Sequence, residues 1–315
     1  MKTGGRKNYG FGRSIQYASR NVLRDRFGDG RYGTRHSHEA RLKPFLVWAK
    51  AHSIRDLRDV SVATLQAYAI ELKDAVIDGC LARATAVNRL SSVNVLMEAV
   101  RGDDDCWISP KEHIGSRNRL RRQPPQGLNP LSVWAAAGLA EEQRHDDLAI
   151  ALVLCRFTGA RIREAALLNV RKAARSAVEL GHVTITRGSK GNRAASIPRE
   201  IAVSRPVGIW LDERLSSLSR QNLIPVGKKF SDWYRDVYRR FGPIAERYDL
   251  HTGFHALRAA FACDRYKALT GYDAPCVAGK RIADKAADSD ARAILAEELG
   301  HGRIDVVGAY IGGRR

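Results

Sequence analysis

Paired cysteines and long hydrophobic runs are both absent from this 315-residue sequence. The five cysteines are dispersed, at positions 80, 106, 155, 263 and 276, and an odd, scattered set fits reduced thiols in a cytoplasmic protein better than a disulfide framework. No CxxC pair, HExxH motif or Walker-type glycine loop occurs, so we expect no metal site and no nucleotide cofactor. No run of about 18 apolar residues exists, and residues 1–7 lead into no apolar core, which argues against a membrane span and a signal peptide.

Acidic residues are also few relative to basic ones. The sequence has 34 Asp and Glu against 53 Lys and Arg, which gives a formal net charge of +19. Such an excess favours a polyanionic partner, and arginine, the commoner cation here, suits two-pronged contacts to phosphate. The alternative is a generally arginine-rich composition with no polyanion to bind.

The first 130 residues divide into three parts. Residues 1–36 predict a basic N-terminal arm with one short helix near 14–27, and an unordered tail is an equal alternative. Residues 37–110 predict a helical domain, with Ser37 and Ser61 as the N-caps of two helices and a third helix at 84–101. Residues 111–130 contain prolines and arginines and predict a basic linker, or equally a solvated spacer.

Residues 131–315 predict a larger domain with a small β-sheet. Its expected strands are 178–186 and 194–198, joined by a turn that contains Lys190. The expected helices are 146–157, one from about Arg161, 199–218, 228–248, 254–270, 290–300 and 302–312. The whole chain is therefore expected to be mainly α-helical.

Two arginine-bearing motifs each begin a predicted helix in this domain. Arg161 follows a glycine turn at 158–160, and Glu164, three residues later, can hold its guanidinium. His255 and Arg258 share one face at the start of another helix. Backbone N–H groups at a helix start favour anions, so both motifs suit phosphate, although each alone also fits a surface salt bridge or a capped helix end.

A third motif closes the sequence, where Leu299-Gly300-His301 precedes Tyr310 by nine residues from the histidine. On one unbroken helix these two side chains would point to opposite faces. The glycines at 300 and 302 predict a break that turns both groups toward one site. The alternative is a C-terminal helix whose Tyr310 packs against the body of the protein.

The three motifs together resemble the boxes of the tyrosine recombinases, the phage-integrase type of site-specific DNA recombinase. The family's boxes are similar to Thr-Gly-x-Arg-x-x-Glu at 158–164, His-x-x-Arg at 255–258, and Leu-Gly-His with its later tyrosine at 299–310. A lysine in a β-turn between the first two boxes matches Lys190. The resemblance covers most of the chain and is specific in its second half.

The resemblance implies a two-domain clamp on double-stranded DNA, with a helical core-binding domain followed by an α+β catalytic domain. It implies an integrase of a mobile element that cuts and rejoins strands through a 3′-phosphotyrosyl bond, without metal or ATP. The implied catalytic residues are Arg161, Lys190, His255, Arg258, His301 and Tyr310, with Glu164 as support. Candidate DNA contacts in the helical domain and linker are Arg83, Asn88, Arg89, Arg117, Arg119, Arg121 and Arg122.

Each catalytic residue has an implied role. Tyr310 would attack the phosphodiester, with His255 assisting proton removal. Lys190 would protonate the leaving 5′-oxygen. The two arginines and His301 would bind the non-bridging oxygens and offset the charge of the transition state.

The sequence departs from the family pattern in three places. About forty residues separate Arg258 from His301, more than usual, which predicts an insertion near 271–289. Ala259 stands where many integrases have a second histidine. The sequence ends five residues after Tyr310, where many relatives have a tail that docks on a neighbouring subunit, so we expect little room for that mode of tetramer control.

The expected assembly is a homotetramer on paired recombination sites and a monomer or dimer off DNA, in the cytoplasm with the nucleoid. A type IB topoisomerase, which shares the chemistry without strand exchange, is one alternative. A decayed integrase that only binds DNA is another. The sequence leaves open the target site, the direction of recombination, and whether Tyr310 acts in its own subunit or in a neighbour.

Overall fold

The computed structural model describes residues 6–188, 198–251 and 253–314. The chain forms two compact units, and the boundary between them along the sequence falls between Asn118 and Arg119, within the span expected to be a linker. The helices of the first unit are α1 (Ile15–Phe27), α2 (Tyr32–Ala51), α3 (Val62–Ile77), α4 (Arg83–Arg101) and α5 (Pro110–His113), with 3-10 turns at Lys7–Gly10, Asp29–Arg31 and Leu57–Asp59.

Helix α1 contributes to the core of the first unit. Ala18, Val22 and Leu23 lie on one face at helical spacing and are buried with the apolar faces of α2, α3 and α4. Ser14 begins the helix, because its side chain accepts a hydrogen bond from the backbone of Tyr17 at 3.2 Å. Residues 15–27 of the expected arm thus belong to the helical unit.

One of the two predicted caps in this unit is wrong. Helix α2 starts at Tyr32, so Ser37 lies inside it, and its hydroxyl donates to the carbonyl of Gly33 at 2.8 Å instead of capping. Ser61 is confirmed as a cap, since its hydroxyl accepts from the backbone of Thr64 at 3.3 Å.

The second unit is also mainly helical and carries the small sheet. Its elements are α6 (Pro130–Glu142), α7 (Asp146–Phe157), α8 (Ile162–Ala166), α9 (Val170–Glu179), β1 (His182–Ile185), β2 (Arg199–Ala202), α10 (Arg205–Ser216), α11 (Phe230–Arg247), α12 (Phe254–Thr270), α13 (Pro275–Ala278), α14 (Lys285–Glu298), a 3-10 turn at Ile304–Val307, and α15 (Gly308–Ile311). Helix α7 is buried along almost its whole length and packs against α6 and α12. The predicted fold class, mainly α with a small β-sheet, is confirmed.

The sheet is an antiparallel pair that begins and ends later than expected. Val183 pairs with Ile201 and Ile185 with Arg199, and these four side chains face the core. The prediction of a strand from 178 was wrong, because Ala173, Ala174 and Ala177 give α9 a buried helical face that runs to Glu179. The prediction of a helix from 199 was also wrong, while residues 194–197 lie outside the described part of the chain.

The last helices differ from the expected ones in length. Helix α14 begins at Lys285, inside the predicted insertion, because Asp284 caps it by accepting from the backbone of Ala286 and Ala287 at 2.9 Å. The helix expected at 302–312 is a 3-10 turn followed by the single turn of α15. Over the described residues, no helix has both the length and the apolar character needed to cross a membrane.

Candidate active site

The first box folds as a tight turn that leads into α8. Arg161 is the N-cap residue, and Glu164 accepts from its backbone N–H at 2.9 Å and from its guanidinium at 2.7 Å. Gly159 has φ +60°, and a Cβ there would lie 2.4 Å from the ring of Phe261. A glycine is therefore required for this turn to approach α12 so closely.

Glu164 is the one carboxylate that contacts Arg161, Arg199 and Arg258 among the residues that the structure describes. Its Oε2 lies 2.6 Å from Arg199 and 3.7 Å from Arg258, in addition to the contacts with Arg161. Burial acts to raise the pKa of Glu164, but the three guanidinium groups outweigh it and lower the pKa. Counted over residues 6–188, 198–251 and 253–314, this cluster holds three positive charges against one negative charge, which favours an anionic ligand.

Arg258 joins the first and third boxes to Tyr310. The side chain is 1 % exposed, and its Nη1 and Nη2 donate to the backbone carbonyls of Gly159 and Leu299. Its Nε donates to the hydroxyl of Tyr310 at 3.3 Å. Burial lowers the pKa of Arg258 to about 10, so the group remains charged at neutral pH.

His301 also contacts the Tyr310 hydroxyl. Its Nε2 is 3.1 Å from that oxygen, 3.3 Å from Nη2 of Arg161 and 3.4 Å from Nη2 of Arg258. Guanidinium groups only donate, so Nε2 is an acceptor here and the ring proton belongs on Nδ1. Burial, followed by the charges of Arg258 and Arg161, lowers the pKa of His301 to about 4. The ring is therefore neutral at pH 7.

Tyr310 itself is 4 % exposed, on the single turn of α15. His255 lies nearby on α12, with its ring centroid 5.2 Å from that of Tyr310. His255 is exposed as a residue, yet the protein around its ring, followed by the charges of Arg258 and Arg121, lowers its pKa. The structure thus brings five of the six expected catalytic residues together.

The sixth residue, Lys190, lies outside the described part of the chain. Arg199 was not predicted from the sequence; it reaches the cluster from β2, and its Nη1 donates to the carbonyl of Glu298 at 2.8 Å. Strand alternation was the available signal, because Arg199 and Ile201 are two residues apart and therefore share the buried face. The pattern of residues 199–218 instead predicts a helix.

The expected DNA-contact residues fall in both units. In the first unit Arg83 is exposed, Arg89 is half-buried, and Arg117 donates to the side chain of Asn88 at 2.7 Å. In the second unit Arg119 and Arg122 are exposed in irregular structure. Arg121 is half-buried, and its backbone N–H donates to the carbonyl of Gly308 at 3.0 Å, next to the turn that carries Tyr310.

No protein-family model and no curated protein sequence matches this chain. Solved structures do. The Tn1549 transposon integrase in complex with transposon right-end DNA is 14% identical, with 93% of this chain and 94% of that chain covered and a TM-score of 0.59. A lambda integrase dimer bound to a COC′ core site is 18% identical, with 93% of each chain covered and a TM-score of 0.57.

A lambda integrase tetramer bound to a Holliday junction is also similar, at 18% identity and a TM-score of 0.56, with 93% of this chain and 76% of that chain covered. These similarities extend over both units of the chain. The chain therefore has the fold of the tyrosine recombinases and integrases.

Proposed function

We propose that this protein is a site-specific DNA recombinase of the integrase type, acting through a 3′-phosphotyrosyl intermediate. The observation that carries the proposal is the surroundings of the Tyr310 hydroxyl, which is within hydrogen-bond distance of both Arg258 and His301. A nucleophile, a proton acceptor and an excess of positive charge together suit attack on a phosphodiester. The shared fold with DNA-bound integrases supports the same reaction class.

The cleavage step begins with loss of the Tyr310 proton. We assign the acceptor to His301 rather than to His255, because Nε2 of His301 lies 3.1 Å from this hydroxyl, whereas His255 contacts Tyr310 through the rings at a centroid distance of 5.2 Å. His255 would take a supporting role at the rim. The resemblance implies a different assignment, in which His255 assists proton removal and His301 binds the non-bridging oxygens.

The phosphoryl transfer then follows without metal or nucleotide. The Tyr310 oxygen bonds to phosphorus, the bond from phosphorus to the 5′-oxygen breaks, and Lys190 protonates the leaving 5′-oxygen. Arg161 and Arg258 bind the non-bridging oxygens while negative charge grows on them. The 5′-hydroxyl of a partner duplex reverses the step, so the energy of the broken bond is kept in the tyrosyl link.

The first prediction tests the nucleophile. Tyr310→Phe should bind double-stranded DNA as the wild type does but form no covalent adduct, because only the attacking oxygen is lost. A substrate nicked beside the cleavage site traps the adduct, which a denaturing gel detects. Tyr248→Phe, on a tyrosine at the end of α11, is the matched control and should form the adduct normally. An adduct that persists in Tyr310→Phe would rule out the assignment.

The same preparation separates recombination from relaxation. A recombinase should exchange strands only when two recombination sites are present, and we expect a tetramer on such paired sites. Relaxation of supercoiled DNA without paired sites, by a monomer, would instead identify a type IB topoisomerase. DNA binding without any adduct in the wild type would indicate a protein that only binds DNA.

A further inference from the structure

A buried ion pair lies beneath the segment that follows Tyr310. Arg292 and Asp288 are one turn apart on α14, 2 % and 3 % exposed, and Nε of Arg292 is 2.9 Å from both carboxylate oxygens. Tyr266 of α12 donates its hydroxyl to the same carboxylate at 2.8 Å. A buried pair is retained at low cost only when its remaining donors are also satisfied, so the other contacts of Arg292 matter.

The remaining donors of Arg292 point at the backbone after Tyr310. Nη1 donates to the carbonyl of Gly312 at 3.1 Å and Nη2 to that of Gly313 at 2.9 Å. Arg281, in the 271–289 segment, donates from Nε to the carbonyl of Arg314 at 3.0 Å. Two arginines thus hold three consecutive carbonyls within two to four residues of Tyr310.

The backbone conformation at Gly312 fits the position in which Arg292 and Arg281 hold residues 312–314. Its φ is +96°, and a Cβ there would lie 2.7 Å from the backbone nitrogen of Cys276 on α13 and 3.2 Å from the carbonyl of Arg121. The thiol of Cys276 also lies 3.7 Å from the carbonyl of Tyr310. The segment expected to be an insertion therefore contacts the tyrosine turn itself as well as the residues behind it.

We infer that Arg292, supported by Asp288 and Tyr266, is a positioning residue that keeps residues 312–314 on their own subunit and thereby holds Tyr310 beside Arg258 of the same chain. This inference rests on the proposed function. It assigns to the 271–289 segment the role of holding the turn that carries Tyr310 in place. It also means that residues 312–314 do not pass to a neighbouring subunit during cleavage, so each subunit uses its own tyrosine.

The first test measures how firmly residues 308–314 are held in place, and it does not require enzymatic activity. Hydrogen–deuterium exchange is measured on the full chain of the wild type, Arg292→Gln, and the control Arg214→Gln, which loses ion pairs with Glu141 and Glu213 and no contact to the tail. Arg292→Gln should raise exchange on the order of 10-fold or more in peptides covering 308–314, because two carbonyl anchors are lost. The control should leave those peptides unchanged. Unchanged exchange in a folded Arg292→Gln protein overturns the inference.

A milder variant protects the test against misfolding. Arg281→Gln removes one anchor outside the buried pair, and it should raise exchange at 312–314 with the fold intact. If Arg292→Gln does not fold, this variant decides, and unchanged exchange in it overturns the inference.

The second test uses the rate of adduct formation to report whether Tyr310 is correctly positioned for attack. In single-turnover cleavage of nicked DNA, Arg292→Gln should slow adduct formation on the order of 100-fold, as expected when a reacting group shifts by about 1 Å. DNA affinity, measured in the Tyr310→Phe background, should stay within about twofold, whereas general damage to the fold would lower both. A normal cleavage rate together with loosened exchange overturns the positioning role.

The third test asks which subunit supplies the tyrosine. A mixture of Tyr310→Phe and Arg161→Ala subunits should form no adduct beyond that of Arg161→Ala alone, because no subunit keeps both groups. Restored adduct overturns the inference. If even the wild type forms no adduct, the proposed function fails. The exchange experiment still decides whether Arg292 holds residues 312–314.

Discussion

Arg258 serves the fold and the site at once. It is buried, and it donates to the backbone carbonyls of Gly159 and Leu299. Its Nε lies beside the hydroxyl of Tyr310, and its Nη2 lies beside Nε2 of His301. Removing it would leave Glu164 with one fewer cation and two buried carbonyls without donors. Such a loss destabilises a protein by roughly 3–5 kcal/mol, so a truncation at 258 would confuse folding with chemistry.

Arg161 offers a cleaner test of the proposed phosphate clamp. Its side chain is 24% exposed, so truncation leaves a smaller folding defect than at Arg258. Arg161→Ala should slow single-turnover cleavage by about 10²–10³-fold, by analogy with the loss of one preorganised donor. Arg163→Ala, on the exposed neighbouring position of α8, is the control and should cleave at the wild-type rate. Equal rates for both variants would remove Arg161 from the mechanism.

His301 should give the stability of the protein a characteristic pH dependence. Its pKa is lowered from 6.5 to about 4, so the unfolded chain takes up this proton at a higher pH than the folded chain does. Its contribution is therefore complete above pH 6.5 and is lost as the pH falls toward 4.

Urea unfolding of the full chain between pH 7 and pH 4 measures this contribution. His301→Gln should show a shallower loss of stability across that interval, because glutamine does not titrate. The lowered pKa of Glu164 adds its own loss only below pH 4.5, the ordinary value for that group. Identical slopes for wild type and His301→Gln would contradict the neutral, accepting state of the ring.

At the scale of the element, the end of α14 depends on one of its two glycines. Gly300 has φ +61°, and a Cβ there would lie 2.9 Å from the side chain of Arg199, which is itself held by Glu164 and the carbonyl of Glu298. Gly302 has no positive φ, and its Cβ would meet nothing within 4 Å. The sequence predicts a break in the helix at both glycines alike.

Alanine at each position should separate them. Gly300→Ala should destabilise the protein by at least about 1–2 kcal/mol from the left-handed backbone alone, and it should slow cleavage because His301 follows directly. Gly302→Ala should be neutral or stabilising by up to about 1 kcal/mol, through the unfolded state. Thermal unfolding and the nicked-substrate assay measure both effects. Equal losses of stability and cleavage rate in the two variants would show that a side chain at either position disturbs the turn.

At the scale of the whole molecule, the net charge of +19 should, on the proposed function, govern the encounter with DNA. Each phosphate neutralised by a basic side chain releases counterions, so the logarithm of affinity should fall linearly with the logarithm of salt concentration, with a slope of about −0.9 for each contact. A protein with 6–10 contacts loses on the order of 10³–10⁵ in affinity between 50 and 200 mM salt. Titrations of Tyr310→Phe, which cannot cleave, measure this slope. A nearly flat response would argue against extensive backbone contact.

The sequence by itself determined the helical character, the positions of most helices and the motif residues around Arg161, Arg258 and Tyr310. These features depend on the spacing of apolar side chains and on short motifs, which are local properties of a chain. The same local rules failed at Ser37 and at residues 199–202, where a longer helix and a strand pairing prevailed over the nearby signals.

Only the tertiary structure decided which groups meet. Arg161 and His301 lie 140 positions apart in the chain, and their contact depends on how α8 packs against α7 and α14 against α12. Strand pairing brings Arg199 to Glu164, and the packing of α14 brings Arg292 under the tail, although neither arginine belongs to a motif. Burial among these cations, rather than any neighbour in sequence, makes His301 a neutral acceptor beside Tyr310.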